Sequence, residues 1–400
     1  MSAYAVDWLN LLLRWMHLIT GIAWIGASFY FVWLDNSLEQ PSEDNKKKGF
    51  GGQLSSIHAG GFYEVAKYKL APPVMPQHLH WFKWEAYSTF ITGFALFTLM
   101  FYVGAQSYLI DSSKYALEPW QAIAISLGVF VGGWIFYDLL CKSPLSKQPV
   151  ILGVVLLLFV AVLAWGLQHV FSARAAYLQV GAMIGTCMAA NVFFVIMPGQ
   201  AALVSAVEQG KAPDPKYALA SKVRSVHNNY LTLPVLFLMI SNHYPMTYGH
   251  PQAWAILMAI LLIGAWTRHF FNLRHKGKVK PAILVSAAVA TLLLAWVIAP
   301  APVAVSTNQV TTAEAFAIVQ QRCTTCHSAQ PTNDIFTVAP AGVMFDNEQQ
   351  VQQWSARIMA RAVTTHDMPL MNTTGMTDEE RATLGAWVQQ ASWLRTDAGH

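Results

Sequence analysis

The chain has 400 residues, 54% of them hydrophobic and only 12% charged, about half the charged share of a typical soluble domain. The long apolar runs are confined to the first three hundred residues, which excludes an ordinary soluble protein and points to a membrane part with a polar tail. The net charge of +4 comes largely from loops between apolar runs, so it reports membrane topology rather than a nucleic-acid partner.

A spanning helix needs about 20 mostly apolar residues. In chain order, eight such runs are predicted at about 9–34, 86–106, 120–140, 149–169, 175–197, 229–244, 252–272 and 281–299. The first is too long for a signal-peptide core, and no small-residue cleavage site follows it. The sixth is short and carries Pro234. The loop from Asp35 to Glu85 is rich in aromatics, Lys and Pro, and reads as a segment lying on the membrane surface or capping a pocket. The stretch "APAPVAVSTNQ" reads as a stiff linker. The predicted fold is all-α: an eight-helix transmembrane bundle over 1–299, a linker over 300–310, and a small class I-like cytochrome c domain over 311–400.

The tail prediction rests on Cys323-Thr324-Thr325-Cys326-His327. Two thiols spaced by two residues form thioethers with the two vinyl groups of a haem c, and the following His ligates the iron. Helices are expected at about 312–322, 348–362 and 377–391. The sixth ligand is expected to be a thioether, and "HDMPLMNTTGM" offers Met368, Met371 and Met376, with His366 as a minor alternative. Met368 is preferred because Pro369 suits an irregular ligand loop. Thr377 and Glu380 have capping-box spacing. Cys141 and Cys187 read as small buried hydrophobes.

Loop charge sets the orientation. Lys46, Lys47, Lys48, Lys67, Lys69 and Lys83 follow the first span, and Lys142 and Lys147 the third. Lys211, Lys216, Lys222 and Arg224 follow the fifth, and Arg274, Lys276, Lys278 and Lys280 the seventh. The alternate loops hold only Lys114 and Arg174. By the positive-inside rule the basic set is cytoplasmic. Both termini then lie in the periplasm of a bacterial inner membrane, where haem c is attached.

Ionisable groups inside spans are costly and read as functional by default. Glu85, Tyr87, Asp138, Asn191, His227, Asn228, Asn229, Arg268, His269 and Asn272 all fall toward the cytoplasmic ends. Arg14, His17, His169 and His243 fall toward the periplasm. Arg268, Asn228 and Asn229 suit a planar anion, with His227 or His269 as general base. Arg14, His17 and His243 form an alternative pocket, and His17 is also a candidate ligand for an additional haem b in the membrane.

The segments "GIAWIGASFYFVWLDNSL", "LHWFKWEAYSTF", "VHNNYLTLPVLFLMISNHYP" and "RHFFNLRH", followed by "CTTCH", resemble the bacterial membrane-bound cytochrome c urate oxidases over nearly the whole chain. The resemblance implies oxidation of urate to 5-hydroxyisourate in the membrane domain. Electrons would pass to the fused haem c, then through a periplasmic cytochrome c or terminal oxidase to the respiratory chain, without peroxide. The competing readings are a quinol-to-cytochrome c electron-transfer protein, a haem-copper oxidase relative, and a membrane-tethered electron carrier. A pyridine haemochrome assay on the purified protein counts the haems. One haem c is expected, and haem c alone removes the bridging haem b.

Overall fold

The computed structural model describes residues 3–111, 114–299, 309–333, 336 and 338–390. Most of the predicted linker, from 300 to 308, and the last ten residues lie outside the described residues. Eight long helices occupy the first part. They are α1 (Ala3–Ser37), α2 (Trp84–Phe97, continued by a π-helical stretch Thr98–Val103), α3 (Pro119–Lys142) and α4 (Pro149–Val170). Then follow α5 (Ala173–Asn191, continued through Val192–Ile196 into Met197–Glu208), α6 (Pro215–Ile240), α7 (Ala253–His275) and α8 (Pro281–Val297). Pro at the first turn of α3, α4, α6 and α8 starts each helix where an amide would go unpaired in any case.

Six of these helices, α1–α5 and α7, are long and apolar enough to cross a membrane. The 17 residues of α8 are apolar but shorter. The prediction for the sixth run needs correction. It begins at Pro215 rather than near 229, because Asp214 caps the helix by accepting a hydrogen bond from the Lys216 amide at 2.9 Å. Its first turns are therefore charged. Pro234 stays inside the helix, and Gly264 of α7 makes room for it, since a Cβ there would lie 3.3 Å from the proline ring.

The helix α5 is the axis of the bundle. It packs against α2, α3, α4 and α6, and 56% of its apolar window is buried, against 6% for α1 at the bundle edge. Its polar side chains are met inside the fold. Gln179 and Ser126, both 0% exposed, exchange two hydrogen bonds at 2.8 and 2.9 Å, and the Tyr102 hydroxyl joins them at 2.9 Å. Polar groups buried this completely are costly unless hydrogen-bonded.

One expectation changes in kind. The loop after α1 is not wholly helical or irregular but carries an antiparallel hairpin, β1 (Phe50–His58) with β2 (Gly61–Tyr68). Ala59 and Gly60 both take positive φ, +50° and +80°, the geometry of a two-residue type I′ turn. Lys67 ties the hairpin to Asp35 at the end of α1.

The tail forms a second hydrophobic core around Ala315, Val319, Val351, Leu384 and Trp387. Its helices are α9 (Thr312–Arg322), α10 (Glu348–Gln353, extended by Ser355–Ile358 and a π-helical stretch Met359–Thr364) and α11 (Asp378–Gln390), close to the predicted bounds. The expected capping box forms: the Thr377 amide donates to Glu380 Oε2 at 2.8 Å, and the Glu380 amide donates to Thr377 Oγ1 at 3.2 Å.

Close helix contact makes α5 sensitive to added volume. A Cβ on Gly181 would lie 2.8 Å from the Cβ of Leu238, an atom fixed to the backbone of α6. Gly181→Ala is expected to cost roughly 1–3 kcal/mol, read as a lower thermal midpoint of the detergent-solubilised protein.

Candidate functional site

The polar residues at the basic-loop end of the bundle sort onto two faces of α6, because consecutive helical residues point about 100° apart. His227 and Asn228 face α3 and α5. There Asn191 donates to Asn228 Oδ1 and to the Tyr137 hydroxyl, both at 2.9 Å. The phenolic proton is then free for His227 Nδ1, 2.9 Å away. Arg224 completes this network with Asn191 Oδ1 at 3.1 Å and Asp138 at 2.6 Å, over the Tyr137 ring. Arg224 is thus not a loop charge, as its position in the sequence implied, but a paired cation only 4% exposed inside α6.

Asn229 and Tyr230 face α7. Arg268, 4% exposed, donates through Nε to Asn229 Oδ1 at 2.7 Å and lies 3.9 Å over the ring of Phe29. Asn229 is held in turn by Asn272 at 2.9 Å. Next to them, the Tyr230 hydroxyl meets His269 Nδ1 at 2.7 Å, and the imidazole stacks on Trp266. The Arg268 Nη2 is buried with no hydrogen-bond partner, and among the described residues no carboxylate forms an ion pair with this guanidinium. An unpaired buried cation is strongly unfavourable, so this is where an anion would be most stabilised.

The five residues predicted as one pocket, His227, Asn228, Asn229, Arg268 and His269, therefore lie at one end of the bundle but in two adjoining networks. Tyr137, Tyr230 and Phe29 were missed, since an aromatic residue in an apolar run carries no signal of its partners. The alternative trio is not linked by hydrogen bonds. Arg14 bonds to Asn10 at 3.2 Å within α1, and His17 Nδ1 donates to the Thr89 carbonyl at 3.1 Å across α1 and α2. His243 is exposed in the turn after α6. Among the described residues no group of three or more His, Cys, Asp or Glu side chains is set to hold a metal ion.

In the tail, Cys323, Cys326, His327 and Met368 line one cavity of about 650 Å³. His327 Nδ1 donates to the Val343 carbonyl at 3.0 Å, which fixes the tautomer and leaves the Nε2 lone pair available. Burial lowers the His327 pKa against the opposing effect of that carbonyl bond, which favours the neutral, ligating form. Burial pushes the Cys323 thiol up to about 12, the reverse of the activated thiolate in a redox Cys-x-x-Cys pair. Met371 also lines the cavity, whereas Met376 is packed in the tail core at 3% exposure and His366 is exposed on the surface. The donor set and the cavity fit a covalent haem c with His and thioether ligands.

Buried Arg381 steadies the Met368 loop by donating to the Met368 carbonyl at 2.8 Å and to the Ala362 carbonyl. Arg322, next to Cys323, is clamped by both carboxylate oxygens of Glu380 at 2.9–3.1 Å. The cavity also takes a wall from the membrane part, at Gln106, Ser107 and Ile110. The tail therefore sits on the bundle end opposite the basic loops. Asn191 to Ser172, which spans the two ends along α5, is 19 residues, or about 28 Å of helix.

Fold and sites together define a mostly helical protein, with helices long and apolar enough for a membrane protein, a buried polar centre and a Cys-x-x-Cys-His tail. The chain belongs to the urate oxidase N-terminal family, whose model matches residues 3–299. Residues 300–400 lie outside the match. No curated protein and no solved structure matched the chain.

The Arg322 clamp lowers the Glu380 pKa below its ordinary value of 4.5. The carboxylate thus contributes stability that is complete above the unfolded value and is lost as pH falls through the depressed folded value. Glu380→Gln is expected to make the tail more protease-sensitive at pH 7 and to flatten its loss of resistance below about pH 4.5, as followed by limited proteolysis across pH.

Proposed function

We propose that the chain is a membrane-bound urate oxidase with eight spans and a periplasmic cytochrome c tail. It converts urate to 5-hydroxyisourate and sends the electrons to its own haem c and on to the respiratory chain, not to oxygen. The observation that carries the urate site is Arg268: a buried guanidinium with a free Nη2, an aromatic face beneath it, and no carboxylate to neutralise it. Urate is a planar anion near neutral pH. Family membership and an unsatisfied planar cation thus call for the same ligand.

Urate plus water gives 5-hydroxyisourate, two electrons and two protons. Arg268 binds the anionic edge, and Asn229, steadied by Asn272, orients it. His269, in the tautomer whose Nδ1–H donates to the Tyr230 oxygen, keeps Nε2 available to take a proton. His227 is the second candidate base, but Tyr137, which accepts from Asn191, turns its phenolic proton to His227 Nδ1, so Nε2 of the neutral ring already carries a proton. In the tail, Cys323 and Cys326 would hold the haem through thioethers, and His327 and Met368 would ligate its iron. When bound, this haem c supplies one-electron acceptance, so each urate requires two transfers.

The test is anaerobic addition of urate to the purified, oxidised protein. The haem spectrum should become reduced, with no peroxide formed in air. A spectrum that stays oxidised with urate but reduces with a quinol overturns the assignment in favour of quinol-linked electron transfer. Arg268→Ala is expected to slow urate-driven reduction by roughly a hundredfold or more, the scale of ~3 kcal/mol for a lost buried charge contact. Haem content should stay intact. Normal turnover in both Arg268→Ala and His227→Ala moves the pocket to Arg14 and His17.

A further inference from the structure

Behind the Met368 loop, the tail meets a corner of the membrane part. This corner is the short helix Pro245–Tyr248 with Gly249, between α6 and α7. It is rigidly anchored. The Tyr177 hydroxyl of α5 lies 2.6 Å from the Ala253 carbonyl and 3.2 Å from that of Thr247, and the Gly249 amide donates to the Pro245 carbonyl at 2.8 Å.

The fit across this contact is close. A Cβ on Gly249 would lie 2.9 Å from the carbonyl oxygen of Thr365 in the tail and equally close to that of Pro245 in its own turn, so glycine serves both the turn and the approach of the tail. The buried Tyr248 phenol lies within electrostatic reach of Asp367 and Arg361. Thr365 and Arg361, together with Arg381, secure the Met368 loop. The Thr365 hydroxyl donates to Asp367 Oδ1 at 2.5 Å, Arg361 pairs with Asp367, and the Met368 amide donates to the Arg361 carbonyl at 3.0 Å. Asp367 immediately precedes Met368.

We propose that Tyr248 and Gly249 are positioning residues for the haem: the membrane part holds the Met368 ligand loop through Thr365, Arg361 and Asp367. The tail is then not a self-sufficient cytochrome on a tether. Its thioether ligand is set by a turn more than a hundred residues earlier in the chain, and the potential of the electron outlet depends on docking. This rests on the haem c reading given above.

The test uses the full-length protein in detergent, with Gly249→Ala and Tyr248→Phe compared with the unaltered chain. Three quantities are read: covalent haem per protein, the thioether–iron charge-transfer band of the oxidised protein, and the midpoint potential. Both variants are expected to keep full covalent haem, because Cys323, Cys326 and His327 are untouched. The charge-transfer band should be lost or strongly reduced in Gly249→Ala and reduced in Tyr248→Phe. The potential should fall, since a thioether ligand raises it. Tyr248→Phe preserves the ring and decides the matter if Gly249→Ala does not accumulate. Full haem with unchanged band and potential in the variants overturns the positioning role alone. Absence of covalent haem from the unaltered protein overturns the haem reading and this inference with it.

Discussion

The structure depends on burying a few polar side chains of an apolar helix, each of which is costly inside the fold unless hydrogen-bonded. The helix α5 carries Tyr177, Gln179 and Asn191 through the centre of the bundle, and each finds its partner on a different neighbour. These bonds fix the neighbours relative to one another. At one end Asn191 joins α3 to α6. At the other, Tyr177 pins the turn beside α7, and Ser172 pins the segment after α2 by donating to the Leu109 and Tyr108 carbonyls at 3.0 and 2.7 Å. The same helix therefore organises the polar centre and the platform under the tail.

Two buried arginines show how the fold treats charge differently at a structural position and at the proposed binding position. Arg224 has Asp138 and Asn191, with aromatic rings of Trp134 and Tyr137 against its plane. It is neutralised in place and locks helix ends together. Arg268, on α7 against the next face of α6, has only an amide oxygen and the Phe29 ring. A desolvated cation left in that condition raises the free energy of the empty state, so an anionic ligand gains from relieving it. The contrast explains why substrate assignment favours Arg268 although Arg224 is equally buried.

Much of the architecture was legible in the sequence because it comes from local rules. Apolar run length gave the helices, Thr377 and Glu380 gave the start of α11, and Cys-x-x-Cys-His gave a cavity lined by its own donors together with Met368. What was missed depends on partners distant in the chain. Arg224 looked like loop charge because Asp138 lies 86 residues away. Tyr137 looked like one more aromatic until Asn191 and His227 were set beside it. The hairpin was overlooked because its turn is Ala59-Gly60 rather than the Asn-Gly or Asp-Gly that marks such turns most strongly. The division of Asn228 from Asn229 was foreseeable from helical period alone, but which neighbour each would face was not.

The contact of Pro234 with Gly264 has a consequence for how this sequence can vary. The proline removes a helical amide from α6, and the glycine accepts the ring that would otherwise push α7 away. A side chain at 264 would also meet the backbone nitrogen of residue 234 at 3.3 Å, an atom that any residue there keeps, so replacing the proline does not free the position. The constraint runs one way: position 264 depends on the helix crossing itself, whereas position 234 depends only on a small residue opposite it. Libraries that randomise both are expected to vary at 234 and to stay small at 264.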